Sequence, residues 1–365
     1  MNLFDIEITI NTMFYSPSHM DKLQLLTTNA EEIVTPEELT IALTKPKPKA
    51  YIGFEPSGTV HLGWKICTRK IQDFLSCGFD FTVLLADWHA YINDKLGGDL
   101  EKIKLCGKYM EDCFAAMGVD TTKVKFVYAS DYVNDAAYWE MVLKTAKATS
   151  VARVKRAMDI MGRSEDEMEK DLSKLFYPAM QVSDIFYLKV DVAYGGMDQR
   201  HAHMLARDVA KKLGRTPPVA LHTPLLTGLQ AGGRMNPVEA KMSKSKPDSM
   251  ISIHDNPDMV KKKLSKSFCP EKQVEGNPVL ELCKYVIFPE LNNNPFVIER
   301  PEKFGGTLQF MTYTELEQAF LVNLHPLDLK NATANHINKI LEPVHAYFEK
   351  HPDNYSKMKS SGIIQ

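Results

Sequence analysis

The chain has 365 residues, 44% hydrophobic and 25% charged, a globular composition with apolar mass for a large core and room for two or three domains. Its 44 basic and 46 acidic side chains nearly cancel, so total charge singles out no nucleic-acid partner and only local distribution can. No run of about 18 apolar residues is present to span a membrane, and the six cysteines keep no CxxC or paired spacing of a zinc site or disulfide framework.

The opening MNLFDIEITINTMFYSPSHMDK carries Asp5 and Glu7 and no Arg, so it does not read as a secretory or mitochondrial leader, and a cytoplasmic protein is expected. Residues 1–48 read as an N-terminal extension: an irregular start, a helix near Ser18–Asn29, then Lys45-Pro46-Lys47-Pro48 as an extended lead into the first strand. AYIGF (50–54) reads as a buried strand, Leu62–Cys77 as a helix and FTVLLA (81–86) as a second strand. A helix over about 99–117 and a third strand, VKFVYA (124–129), follow. From about 131 to 176 helix alone interrupts the pattern, an insertion between two halves. The alternation resumes with DVAY (191–194), a helix over about 198–213 and VALH (219–222). This rhythm predicts an α/β domain over 49–253, a parallel sheet with helices on both faces. Sites in such sheets lie beyond the carboxyl ends of the strands. Residues 254–365 are more polar and read as a separate, mainly α-helical domain, with FVIERPEKFGG as an irregular interlude.

Three segments carry chemistry. In YIGFEPSGTVHLGW (51–64), Gly53 and Gly58 let backbone approach a ligand, and Pro56 stiffens the turn. The helix that follows turns free N–H groups toward the same spot, which favours phosphate. His61 either donates to a phosphate oxygen or simply caps the turn. KMSKS (241–245), preceded by LQAGGRMNPVEA, sets two lysines and two serines on a loop of about 229–248. Such a loop is either a mobile hand for a polyphosphate or a solvated basic surface. In YPAMQVSDIFYL, Pro178 suits a first helical position. Tyr177, Gln181 and Asp184 fall at i, i+4 and i+7 on one face of an otherwise apolar helix. That polar stripe must be satisfied internally or by a small polar ligand.

Two further features are ambiguous. Between 144 and 163, Lys144, Lys147, Arg153, Lys155, Arg156 and Arg163 face only Asp159, a local charge of +5. This is either a phosphate-backbone surface or a solvated helix. In the helical C-terminal part, Phe304 can stack an unpaired base or sit in a core, and His325 and Asp328 can read base edges or cap a helix.

A His-Leu-Gly turn followed about 180 residues later by KMSKS resembles the paired signatures of class I aminoacyl-tRNA synthetases, here HLGW and an unmodified KMSKS. YIGFEPSG, LLADWHAY, YPAMQVSDIFYL, VAYGGMDQRHAHMLAR, LHTPLLTGL, RPEKFGG and HPLDLK resemble the archaeal and eukaryotic tyrosyl branch, in matching order over roughly residues 50–345. FEPSG after Tyr51 and the Tyr177/Gln181/Asp184 face look tyrosyl rather than tryptophanyl. Trp64 departs from the signature, which often has a second histidine there.

The resemblance implies a Rossmann-like catalytic domain, a helical anticodon-binding domain and a homodimer formed through the insertion. It implies an enzyme that activates L-tyrosine with ATP and Mg²⁺ and loads it onto tRNA(Tyr), with no permanently bound cofactor. Asp184 and Tyr51 would bind the phenol hydroxyl, and Tyr177, Gln181 and Gln199 the ammonium group, with Glu55 close by. ATP would meet Gly53, Pro56, Ser57, Gly58, His61, Gly63, Lys241, Met242, Ser243, Lys244 and Ser245. Of these, His61, Gly63, Lys241 and Lys244 would serve the chemistry. Arg156 and Arg200 would lie near the first acceptor-stem pair, and Phe304, His325 and Asp328 near the first anticodon base.

Overall fold

Five runs of five or six residues, too short for helices, and a three-residue edge strand assemble into a sheet of order β1-β6-β5-β2-β3-β4. The strands are β1 Glu32–Val34, β2 Lys49–Phe54, β3 Asp80–Leu85, β4 Val124–Tyr128, β5 Val192–Gly196 and β6 Val219–Thr223. The computed structural model describes residues 19–159, 171–230, 242 and 247–364. Arg163, Lys241, Ser243, Lys244 and Ser245 lie outside the described residues, as does the start of the N-terminal extension.

Strands β2 to β6 run parallel, and β1 pairs antiparallel with β6. The chain lays β3 and β4 on one side of β2, then crosses back to lay β5 and β6 on the other. The strand order therefore reverses between β2 and β5, which opens a crevice at their carboxyl ends. Helices α1 His19–Thr27, α2 Pro36–Leu43, α3 Trp64–Ser76, α4 Asp87–Ile92 and α5 Leu100–Ala116 belong to the first half. Buried Ile71 and Phe74 of α3 fix it to the sheet, with the Phe74 ring 5.3 Å from that of Phe81 on β3. The interruption after β4 contains α6 Ala136–Ala148 and α7 Val151–Asp159, then α8 Ser173–Tyr187, before α9 Arg200–Ala210 resumes the alternation.

Three expectations change. Residues 32–34, read as extension, supply the edge strand of the main sheet; three residues are too few to show alternation. FVIERPEKFGG is not wholly irregular, because β7 Phe296–Ile298 pairs antiparallel with β8 Leu308–Phe310. Pro178 stands inside α8, whose first residue is Ser173, rather than at its first position.

Beyond the sheet lie α10 Pro257–Ser265, α11 Pro278–Leu282, α12 Tyr313–Val322, α13 Pro326–Lys350 and α14 Asp353–Ser360. Apolar Val260 and Leu264 of α10 and Leu329, Ile337 and Leu341 of α13 are buried in one continuous core with the sheet. The last helix closes on α5, where Asn354 donates to Asp112 at 2.8 Å. Among the described residues no helix is long and apolar enough to cross a membrane.

Candidate active site

At the β2/β5 crevice lies a cavity of about 350 Å³. Tyr51, Gly53, Glu55, Ser57, His61, Gly63, Tyr177, Gln181, Asp184, Gln199 and Met242 all line it, so residues up to 191 positions apart in sequence converge on one space. Pro56 and Gly58 are not in its wall. Gly58 shapes the turn instead: its φ of +114° disfavours any side chain, and its N–H donates to Cys106 Sγ at 3.2 Å.

One end of the cavity is closed by a carboxylate. Asp184, 1% exposed, accepts at Oδ1 from the hydroxyls of Tyr132 at 2.8 Å and Tyr138 at 2.9 Å. Its Oδ2 lies 3.0 Å from His89 Nε2, out of line for a hydrogen bond, and is a buried atom with no hydrogen-bond partner among the described residues. Burial alone would push the His89 imidazole down, but the charge of Asp184 and, more weakly, Glu55 and Asp87 outweighs it and raises the pKa. Tyr51, 2% exposed in the middle of β2, has its phenol pushed up by burial and then by the Asp184 charge, so it stays a neutral hydroxyl. Tyr132, Tyr138 and His89 escaped sequence reading. The two tyrosines are single aromatics in an inserted region without a motif. His89 sits just beyond the carboxyl end of β3, where parallel sheets place ligand-facing groups.

The cavity's other polar wall carries acceptors. Glu55 accepts from Tyr177 Oη at 2.6 Å and from Asn93 Nδ2, with Lys95 Nζ at 3.8 Å. Gln181 Nε2 donates to Gln199 Oε1 at 2.8 Å, while the buried Gln181 Oε1 has no hydrogen-bond partner among the described residues. The i, i+4, i+7 face thus points into the cavity with its polar groups partly unsatisfied. A small zwitterion with a polar tail would complete them.

Beside this lies the turn before α3. Gly63 N donates to His61 Nδ1 at 3.1 Å, so the capping role of His61 is real. A Cβ on Gly63 would stand 2.8 Å from His61 Cε1, so a larger residue there displaces the imidazole. The turn is hung on residues 251–253: Leu62 N donates to Ile251 O at 2.8 Å and Ile253 N to Val60 O at 3.1 Å. Met242 of the second signature is buried in the cavity wall, its N–H bonded to Leu226 O at 2.7 Å. Trp64 is 7% exposed and packs its ring 4.3 Å from Phe54, a core role at the position where the signature departs.

The remaining predicted residues lie outside the cavity. Arg200 forks onto Glu32, with Nε to Oε2 at 2.8 Å and Nη2 to Oε1 at 2.8 Å. His201 is held below its usual value by burial and then by Arg153, Arg200 and Arg156, so these three guanidiniums share one neighbourhood. Phe304 is 62% exposed, which excludes a core role. His325 caps α13, accepting from Leu327 N at 3.1 Å, and Asp328 lies 3.9 Å from Arg300.

A parallel sheet with its cavity at the strand-order reversal, a histidine turn at one side and Met242 of the second signature in its wall define a class I aminoacyl-tRNA synthetase. The family model for tRNA synthetases class I (W and Y) matches residues 44–342, and the chain belongs to that family. Within it the chain falls in the tyrosyl branch of archaeal and eukaryotic type. It is 53% identical to the tyrosine–tRNA ligase of Sulfolobus acidocaldarius, with 89% of this chain and 92% of the relative covered. A tyrosyl-tRNA synthetase from Pyrococcus horikoshii, solved complexed with L-tyrosine, is 42% identical with a TM-score of 0.88, covering 94% of this chain and 100% of that one. The tyrosyl-tRNA synthetase of Aeropyrum pernix is 43% identical with a TM-score of 0.84, covering 94% and 98%.

Proposed function

We propose that this chain is a tyrosine–tRNA ligase that converts L-tyrosine and ATP to tyrosyl-adenylate and pyrophosphate and then loads tyrosine onto tRNA(Tyr). The observation that carries the amino-acid specificity is the buried Asp184 Oδ2, unpaired by hydrogen bonds at the end of the cavity beside Tyr51. A phenol hydroxyl donates to that oxygen. A phenylalanine ring leaves the buried Asp184 Oδ2 without that hydrogen bond, which is expensive. At the polar wall, Tyr177, Gln181 and Gln199 take the ammonium group, with Glu55 supplying negative charge.

No covalent enzyme intermediate is needed. The tyrosine carboxylate attacks the α-phosphorus of ATP in line, the bond to the bridging oxygen breaks and pyrophosphate leaves. Gly53, Ser57 and Gly63 border the nucleotide. His61, with Lys241 and Lys244, stabilises charge on the triphosphate as it develops, and Mg²⁺ enters with ATP as part of the substrate. A ribose hydroxyl of the terminal tRNA adenosine then attacks the activated carbonyl, and AMP leaves.

Residues 49–253 form the catalytic domain and 254–365 the anticodon-binding domain, behind an extension of 1–48. Arg156 and Arg200 receive the acceptor end. Exposed Phe304 stacks the first anticodon base, whose edge meets His325 and Asp328. A homodimer through the insertion is supported by its large exposed apolar side chains, Trp139, Leu143, Val151 and Leu172. The protein works in the cytoplasm.

The test is ATP–pyrophosphate exchange with tyrosine, tryptophan and phenylalanine offered separately. Exchange is expected with tyrosine alone, and Asp184→Asn is expected to lower kcat/KM for tyrosine by about 100-fold through loss of a charge-assisted hydrogen bond. Exchange with tryptophan instead would overturn the Asp184 assignment.

A further inference from the structure

Tyr109 on α5 is fully buried in an apolar core, yet its hydroxyl is hydrogen-bonded to a histidine. It lies 2.8 Å from His254 Nε2, while His254 N donates to Ser252 Oγ at 3.2 Å, and that oxygen lies 3.4 Å from Thr59 Oγ1. Thr59 and Val60 immediately precede His61. His254 immediately follows residues 251–253, the stretch on which the His61 turn hangs. A polar relay from Tyr109 through His254 and Ser252 to Thr59 therefore joins α5, the segment that leads out of the second signature and the signature turn. Burial holds His254 far down, to about 3, so its ring is neutral and one hydrogen bond joins Nε2 to the Tyr109 hydroxyl.

The opposite face of His254 belongs to the C-terminal helices. Its ring stacks on Tyr355 of α14 at 3.9 Å and 12°, and meets Phe348 of α13 edge-on at 4.7 Å. Tyr109 flanks that stack, its ring 5.8 Å from His254 and 6.1 Å from Tyr355. Apolar packing alone needs neither a hydroxyl nor an imidazole here. An aliphatic pair of equal volume would bury as much area without polar groups to satisfy.

We propose that Tyr109 and His254 are positioning residues for the ATP-side turn, and that Tyr355 sets their geometry, so that the last two helices and the nucleotide site move as one body. A load on the C-terminal helices is then felt at His61. This rests on the reading of the His61 turn as the nucleotide site.

The experiment is tyrosine-dependent ATP–pyrophosphate exchange on the full chain without tRNA, with a thermal melt of every variant. Tyr109→Phe keeps the ring and removes the hydroxyl. It is expected to raise KM for ATP about tenfold, the worth of one hydrogen bond, while KM for tyrosine stays within about twofold. Tyr355→Leu should raise KM for ATP about fivefold with the same split, whereas Tyr355→Phe, which keeps the stack, should be silent. An unchanged KM for ATP overturns the proposal. So does a parallel rise of both KM values, because general loosening does that without positioning. If the wild-type chain shows no tyrosine-dependent exchange, the ligase reading fails instead. ATP affinity of Tyr109→Phe by calorimetry then tests the positioning claim alone.

Discussion

His89 has its pKa raised in a place where burial by itself would lower it. It is 1% exposed, and what favours its proton is the Asp184 carboxylate 3.0 Å away, itself anchored by two tyrosine hydroxyls. The folded protein therefore binds this proton more tightly than the unfolded chain, whose histidine has an ordinary value of 6.5. The stability so gained is complete below about pH 6.5 and is lost as pH rises through the raised folded value. Replacing His89 with Gln is expected to flatten that part of the profile of melting temperature against pH. A wild-type profile that shows no such decline above pH 6.5 would mean the imidazole is neutral throughout. At this scale the sequence was informative wherever a residue belonged to a motif or a helical stripe, as with Tyr177, Gln181 and Asp184. It was silent on His89, Tyr132 and Tyr138, because their importance comes from Asp184, which is reached only through folding.

The edge strand shows how a short element is held by polar bonds rather than by propensity. Strand β1 has three residues, none fully buried, so apolar burial alone holds it weakly. Glu32 compensates by accepting the Arg200 fork and His222 Nδ1 at 3.0 Å, and His222 Nε2 in turn meets His203 Nδ1 at 3.0 Å. The next element is tied in the same way, with Arg207 Nη2 donating to Glu38 of α2 at 3.1 Å. Glu32→Ala leaves the fully buried His222 without its acceptor and Arg200 without its partner. The expected cost is about 1–3 kcal/mol, measured by urea denaturation. A loss confined to tRNA charging, with stability intact, would show instead that Glu32 serves only to aim Arg200. Elements of this kind cannot be read from periodicity. A three-residue strand has no period, and its partners lie 168 to 190 positions away.

For the whole molecule, the large apolar side chains exposed on α6 and α7 mark the surface that the proposed dimer would cover. Leu143 is 61% and Val151 65% exposed, against a helix face that is otherwise charged, as in the Lys144–Glu140 pair. Leu143→Glu is expected to shift the protein from dimer to monomer in sedimentation velocity, since a charge in the middle of an apolar interface is left desolvated and unpaired. A wild-type chain that sediments as a monomer at micromolar concentration would count against the interface.

Most of the sheet was legible in advance, because a buried parallel strand must be a short apolar run and its crossover helix must be amphipathic, and both are local properties of the sequence. The two signature motifs and the polar stripe of α8 were legible for the same reason: ligand chemistry needs particular residues at short spacing. The sequence could not give the order of the strands, the addition of β1 to the sheet edge, or the short β7/β8 pair. Nor could it show that Tyr109, His254 and Tyr355 pack as one aromatic cluster or that His89 faces Asp184. Those are long-range pairings, and which of them forms depends on how the packed layers share space, a quantity that exists only once the whole chain has folded.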